Sequence, residues 1–328
     1  MLNLTKSLKA GAMAAVLAVT AAGSALAADW RGWNIHPEGY PNTVALEQFA
    51  KDAEAATEGR VKMQVFNGGV LGSQPDAIEQ IQAGAIDFAN FNMGPMGPIV
   101  PLTNILSLPF LFTGVDQMHR AMDGAAGDAF DAAMQEKGIV ALAWYDSGSR
   151  SLYNSKKPIT QPADVEGMKF RVMNNQLFVD MIGAMGGNGT PMAFSEVFQS
   201  LKTGVIDGAE NNYPSYESTN HFEAAKFYSI TEHLIIPECV CVAKASWDKL
   251  SAEDQAAVKK AARDSAQTQR RLWAEREKAS RKMVEAGGAT VNEVADKAAF
   301  QAAMQPVYEN YLKENPDQAD FIKQIQGM

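Results

Sequence analysis

The sequence predicts an α/β protein of two domains joined by a hinge, and three observations carry that reading. Strand-like and helix-like apolar periodicities alternate from Trp30 to Phe91. A second run of such units follows, and then the apolar stretch Glu238 to Ala243 reads as a strand returning to the first domain. After that, no Gly or Pro interrupts the chain between Ser251 and Gly287. That stretch has room for a helix of roughly 50 Å at 1.5 Å per residue.

Taken in order, Trp30 to Ile35 reads as the first strand. Leu46, Phe49, Ala50 and Ala53 recur at helical spacing, and Gly59 ends that helix. Val61, Met63 and Val65 alternate with polar residues, which marks a strand. Gly68-Gly69 and Gly72 make a turn, Pro75 and Asp76 open a helix carrying Ile78 and Ile81, and Gly84 stops it. Ile86 to Phe91 is the next strand, and the βαβα rhythm implies a parallel, doubly wound sheet. Ile139 to Tyr145 is a further strand, and the loop Asp146 to Arg150 opens the second domain. There the chain reads as a strand through Phe170, a helix over Leu177–Met185 and a strand at Val205–Ile206, with Asn188-Gly189-Thr190 as a Gly-rich turn. Ser251-Ala252-Glu253-Asp254 resembles a capping box at the start of the long helical stretch. That stretch is either two ordinary helices or one helix running across both domains.

The N-terminus reads as a targeting segment. Lys6 and Lys9 precede the apolar run Gly11–Val19, and Ala25-Leu26-Ala27 has the small-x-small pattern of a cleavage site. Cleavage after Ala27 removes 27 of 328 residues and leaves 301, with the formal charge moving from −9 to −11. An acidic mature chain argues against nucleic acid or an anionic membrane as partner, so any anion must be held by local cations and donors. Hydrophobic content of 46% fits a globular fold. Cys239 and Cys241 share one face of a strand, and two buried thiols are expected there because a bridge between such neighbours would be strained. The four histidines (His36, His119, His221, His233) show no metal-ligand spacing, so neither metal nor cofactor is expected.

Two segments carry the functional signal. Gly167-Met168-Lys169-Phe170-Arg171-Val172 is a strand that ends in the polar loop Asn174-Asn175. Thr203-Gly204-Val205-Ile206-Asp207-Gly208-Ala209-Glu210-Asn211 lies downstream. A guanidinium at a strand exit offers a carboxylate a planar fork of donors with permanent charge. In the first domain, Asn90 and Asn92 sit at the carboxyl end of a strand, where α/β sheets bind ligands.

Together these segments resemble the signature of the solute-binding proteins of TRAP (tripartite ATP-independent periplasmic) transporters. Val70-Leu71-Gly72, Ile78, Ile81 and Gly84-Ala85-Ile86-Asp87-Phe88 are similar to the family's first turn–helix–strand segment. Pro191-Met192-Ala193-Phe194-Ser195-Glu196-Val197 is similar to another of its segments. The resemblance implies a two-lobed α/β periplasmic binding protein fold with a long helix spanning both lobes. Lobe I would hold 28–147 plus 237–276, and lobe II 148–236 plus 277–328, after a signal peptide over 1–27. It also implies that Arg171 clamps a substrate carboxylate, with Arg150 as a second arginine and Asn211 as a neutral partner. Asn34 and Asn92 match lobe I positions that touch substrate in some members. Sialic-acid-binding members carry Glu where this chain has Asn92, which argues against that ligand. The implied partner is the TRAP membrane permease.

His36, Asn34, Asn90, Asn92, Asn174, Asn175, Asn211 and Asn212 lie in or near the predicted cleft loops, and neutral amides suit vicinal hydroxyls. Tyr213 and Tyr216 could stack on a sugar face. The expected ligand is a sugar acid, a hexuronate first, with a C4-dicarboxylate or 2-keto acid as the alternative. A secreted enzyme acting on acidic sugars, drafting His36, Glu38, Glu210 and His233, is a remote alternative. It has no nucleophile elbow or metalloprotease motif behind it, and Glu210 reads more simply as a helix-start or hinge residue. A sensor's binding partner would use the same pocket.

Overall fold

The computed structural model describes residues 28–328, so the signal-peptide reading of 1–27 lies outside the described residues. The chain opens with β1 (Ala28–Asn34), α1 (Pro41–Ala56), β2 (Val61–Phe66), α2 (Gln74–Gln82) and β3 (Phe88–Asn92). The helices α3 (Val115–Met122) and α4 (Ala125–Gln135) lead into β4 (Ile139–Tyr145). The chain then crosses to β5 (Ser149–Asn154), β6 (Lys169–Val172), α5 (Gln176–Ala184), β7 (Asn188–Pro191) and α6 (Val197–Thr203). β8 (Gly208–Asn211), α7 (Tyr213–Ser218), α8 (His221–Ala224) and β9 (Phe227–Ile235) complete that half. The return is made by β10 (Glu238–Ala243) and α9 (Lys244–Trp247), followed by α10 (Ala252–Ala286). β11 (Thr290–Glu293), α11 (Lys297–Ala303), α12 (Gln305–Glu314) and α13 (Ala319–Gln326) close the chain.

Two sheets result, in the orders β2-β1-β3-β10-β4 and β11-β9-β5-β8-β6-β7. Each is mainly parallel with one antiparallel strand: β10 in the first, β5 in the second. Those two strands are the ones that enter each sheet through the crossings β9→β10 and β4→β5. The parallel strands point their carboxyl ends into the gap between sheets, so a chain crossing that gap must run the opposite way into its new sheet. The same geometry gathers the strand-end loops of both sheets around one cleft.

Burial explains the elements. Leu46, Phe49, Ala50 and Ala53 of α1 are buried against Phe88 and the long helix. The predicted long stretch is one helix of 35 residues, and the Ser251 hydroxyl caps it by accepting from the Asp254 amide. Its first half buries Val258, Ala261, Ala262 and Ala266 with the first sheet, while Val284 packs among Tyr216 and Tyr228 of the second. Arg276 and Ser280 both bond the Glu217 carboxylate at the end of α7. The C-terminal helices touch both halves: α12 packs on α5, while Gln117 and Arg120 of α3 donate to the carbonyls of Ile325, Gln326 and Met328.

Several local expectations are corrected. Strand β8 begins at Gly208; Val205 is exposed and Ile206 sits in the preceding turn, because two apolar neighbours cannot define a period. Gly208 has no room for a Cβ, which would lie 2.4 Å from the Tyr153 carbonyl oxygen. Asn188-Gly189-Thr190 is an edge strand, and Gly189 lets Val179 of α5 pack directly on its backbone. Arg150 lies within β5 opposite Leu234, not in a loop. Cys239 and Cys241 form a disulfide. The β10–β4 register slips between Val240 and Cys241, and the two Cα atoms stand 5.5 Å apart, inside the span a bridge tolerates.

Candidate functional site

The cleft is lined from both sheets. The first contributes Ile35 and His36 after β1, Gln74 at the start of α2, Asn92 at the end of β3 and Glu238 at the start of β10. The second contributes Arg150, Arg171, Met173, Asn174, Met192, Phe194, Asn211 and Asn212. The space between atoms is about 590 Å³ including its opening.

Arg171 is the penultimate residue of β6 and is 4% exposed. Its Nε and Nη2 donate to the Met192 carbonyl at 3.0 and 2.8 Å, and the guanidinium lies 5.7 Å from the Phe194 ring centre. Among the described residues, Nη1 has no protein partner. Burial pushes this guanidinium down to about 10, with the Arg150 charge adding to the effect against Glu210 and Tyr153. It is still a cation in neutral water. A buried cation held along one edge by a carbonyl, with no carboxylate partner, is suited to an anionic ligand group.

Arg150 is committed differently. Its Nε and Nη2 grip both Glu210 oxygens at 2.6 and 2.7 Å, and Nη2 also reaches the Glu210 carbonyl. Its Nη1 donates to Asn211 Oδ1 at 2.8 Å, where the Asn212 amide donates as well. The expected second clamp therefore has its charge neutralised within the protein. What it does instead is occupy the Asn211 oxygen, which leaves the Asn211 Nδ2 as a donor on the cavity wall. Glu210 is the counter-ion of Arg150 inside β8 rather than a hinge or helix-start residue. Burial would raise its carboxyl, but the Arg150 charge and hydrogen bonds, with the His233 ring 3.7 Å away, outweigh that and hold it down at about 2.

On the opposite wall, Asn92 pairs across strands with Glu238 and donates to its Oε1 at 3.4 Å. His36 Nε2 sits 3.1 and 3.0 Å from the two Glu238 oxygens, and Asn42 donates to Oε2 at 2.7 Å. The His36 ring is stacked on Tyr40 at 4.1 Å. Gln74 braces Asn92 from behind, since its amide bonds both the Asn92 carbonyl and the Asn92 N–H.

Of the sequence-predicted residues, Arg171, Arg150, Asn211, Asn92 and His36 line this cavity, together with Asn174 and Asn212. Asn34 and Asn90 are fully buried behind it. Asn34 bonds Thr43, Asn67 and the His36 amide, and Asn90, two residues before Asn92 on the same strand, reaches the Cys239 carbonyl at 3.5 Å. Asn175 faces Gly94 and Asn104 across the gap instead of the cavity. Tyr213 and Tyr216 do not line it. Tyr213 stacks on Tyr228 at 4.2 Å with Arg281 on its other side, and Tyr216 is buried among Tyr153 and Tyr228. Both sit on α7, whose apolar face turns into the core, so their aromatic surface supports the fold.

The most informative residue missed in the sequence is Glu238. The signal was present: a lone carboxylate opens an otherwise apolar strand directly after Pro237. Of the groups drafted for catalysis, Glu38 is exposed and Glu210 is ion-paired to Arg150, while His233 lies 3.7 Å from Glu210 with its Nδ1 bonded to Thr231.

Comparison with known proteins agrees with this geometry. Residues 34–315 match the bacterial extracellular solute-binding proteins, family 7. A solute-binding protein of Chromohalobacter salexigens is 57% identical over 326 residues, covering 99% of this chain and 97% of its own. A TRAP periplasmic solute-binding protein from Roseobacter denitrificans, with bound β-D-glucuronate, superposes with a TM-score of 0.90 at 60% identity over 91% of this chain and 99% of that one. Its counterpart from a Sulfitobacter species, with bound β-D-galacturonate, gives a TM-score of 0.90 at 58% identity over 92% and 100%. This chain therefore belongs to family 7 of the bacterial extracellular solute-binding proteins, the solute-binding components of TRAP transporters.

Proposed function

We propose that the chain is a periplasmic receptor that captures a hexuronate by closure of two lobes and hands it to a TRAP membrane permease. The observation that carries the ligand class is the asymmetry of the cleft. One wall presents a buried, carboxylate-free Arg171 beside the free Asn211 amide, and the other presents Asn92, His36 and Glu238. A carboxylate fits the first wall, and the hydroxyls of a sugar ring fit the second. The glucuronate and galacturonate bound to the Roseobacter and Sulfitobacter relatives support the same class. In this reading 1–27 is the secretion signal, the lobes are 28–147 with 237–276 and 148–236 with 277–328, and no chemistry is performed on the ligand.

The test is isothermal titration of residues 28–328 with D-glucuronate, D-galacturonate, succinate, pyruvate and sialic acid. Saturable binding of a hexuronate in preference to the others is expected. Preference for succinate or pyruvate, with no uronate bound, would sink the ligand assignment while leaving the receptor role standing.

A further inference from the structure

Four ionisable side chains line the cavity: Arg150, Arg171, His36 and Glu238. Arg150 is already paired to Glu210. Once that pair is set aside, the cleft is polarised, with the Arg171 cation from the second sheet at one end and the Glu238–His36 pair from the first at the other. Glu238 is 2% exposed, and among the described residues no lysine or arginine pairs with it. Its donors are the His36 ring and the amides of Asn42 and Asn92, the last at 3.4 Å. A glutamine here would keep one acceptor oxygen and set its NH2 against the other amide, whereas the carboxylate accepts from Asn42 on one oxygen and Asn92 on the other. A buried carboxylate without a lysine or arginine partner is costly. Burial works to raise this carboxyl, but the adjacent His36 ring and the Asn42 and Asn92 amides hold it below the ordinary range, so it is ionised.

An ionised carboxylate offers about four acceptor positions and no donor. Here three donors approach it, one of them at a long distance, so acceptor capacity remains toward the cavity. A hydroxyl of a sugar ring can donate into it. A second carboxylate on the ligand has no proton to donate and would bring a like charge into a desolvated cleft.

We propose that Glu238 is a specificity-determining residue: it accepts from ligand hydroxyls and makes the cleft reject dianionic ligands, restricting it to sugar acids with a single carboxylate. This rests on the sugar-acid reading above and narrows it. The consequence is that the oxidised form of the ligand, in which the far carbon is also a carboxylate, is excluded although it has the same skeleton and an added anchor for an arginine.

Titration of the 28–328 protein and of Glu238→Gln with D-glucuronate and with D-glucarate decides it. The expected wild-type preference for glucuronate over glucarate is about 100-fold or more, the size of a like-charge contact in a buried interface. In Glu238→Gln the preference should shrink by at least about tenfold, with glucarate binding now measurable. Each ligand is compared with itself across the two proteins, so the difference between a ring and an open chain cancels. Equal affinities in the wild type overturn the proposal without any variant. So does an unchanged preference in Glu238→Gln, whether both ligands weaken together or glucarate stays unbound. If the wild type binds neither ligand, the sugar-acid reading itself has failed, which is a distinct result.

Discussion

At the scale of single residues, the two arginines of the cleft have separate tasks, and their partners decide which. Arg171 meets only a carbonyl and a ring face, so its charge is available; Arg150 meets Glu210, so its charge is spent inside the fold. Arg171→Lys keeps the charge but loses the planar fork. Hexuronate affinity should fall by at least about 100-fold with the melting temperature little changed, read by titration and calorimetry on the same sample. Unchanged affinity would remove Arg171 from the clamp role. Glu210→Gln leaves the Arg150 cation buried without its counter-ion, and should cost about 3–5 kcal/mol in denaturant unfolding. The pH dependence follows with its sign. Glu210 is depressed from 4.5 to about 2, so its stabilisation is complete above the unfolded value and is lost as pH falls toward about 2. Wild-type stability should therefore drop through that acid window, and the Glu210→Gln protein should lack this component.

At the scale of elements, β10 and α10 combine jobs that are usually separate. β10 is the return crossing, carries Glu238 at its first position and holds the Cys239–Cys241 bridge. A bridge that closes so short a loop constrains the unfolded chain little, so Cys239→Ala with Cys241→Ala should cost no more than about 2 kcal/mol. A much larger loss by chemical unfolding would show that the bridge shapes the strand itself. Helix α10 passes Glu277 over the crossing, where burial first and then the Asp146 and Glu232 charges push its carboxyl up to about 7. A raised acid favours folding below its unfolded value and loses that contribution as pH rises through the folded one. Glu277→Gln should accordingly raise the melting temperature at about pH 8 and change it little at about pH 4. Equal effects at both pH values would mean that Glu277 does not titrate in this window.

At the scale of the whole molecule, two strand crossings and one continuous helix join the sheets, which is a hinge geometry and not a flexible tether. Asn175 spans the gap to the Gly94 carbonyl and the Asn104 side chain, so the cleft is held from both sides. If capture proceeds by closure, saturating D-glucuronate should lower the radius of gyration in small-angle scattering, and Arg171→Ala should show no such change. A ligand-bound wild type with an unaltered profile would mean that the sheets do not move on binding.

The sequence by itself determined the α/β class, a helical stretch after Ser251 and the positions of Arg171, Asn211 and Asn92, because strand and helix periods and strand-end polarity are local properties of the chain; that the stretch is one helix of 35 residues was decided by the structure. Only the tertiary structure decided what those side chains meet. Pairing of Arg150 with Glu210 crosses 60 residues, that of His36 with Glu238 crosses 202, and the Tyr213 ring was claimed by Tyr228 instead of the cavity. Such choices depend on which groups the fold brings within hydrogen-bond reach and on the cost of leaving a buried charge without a partner, and neither is written in any local window of residues.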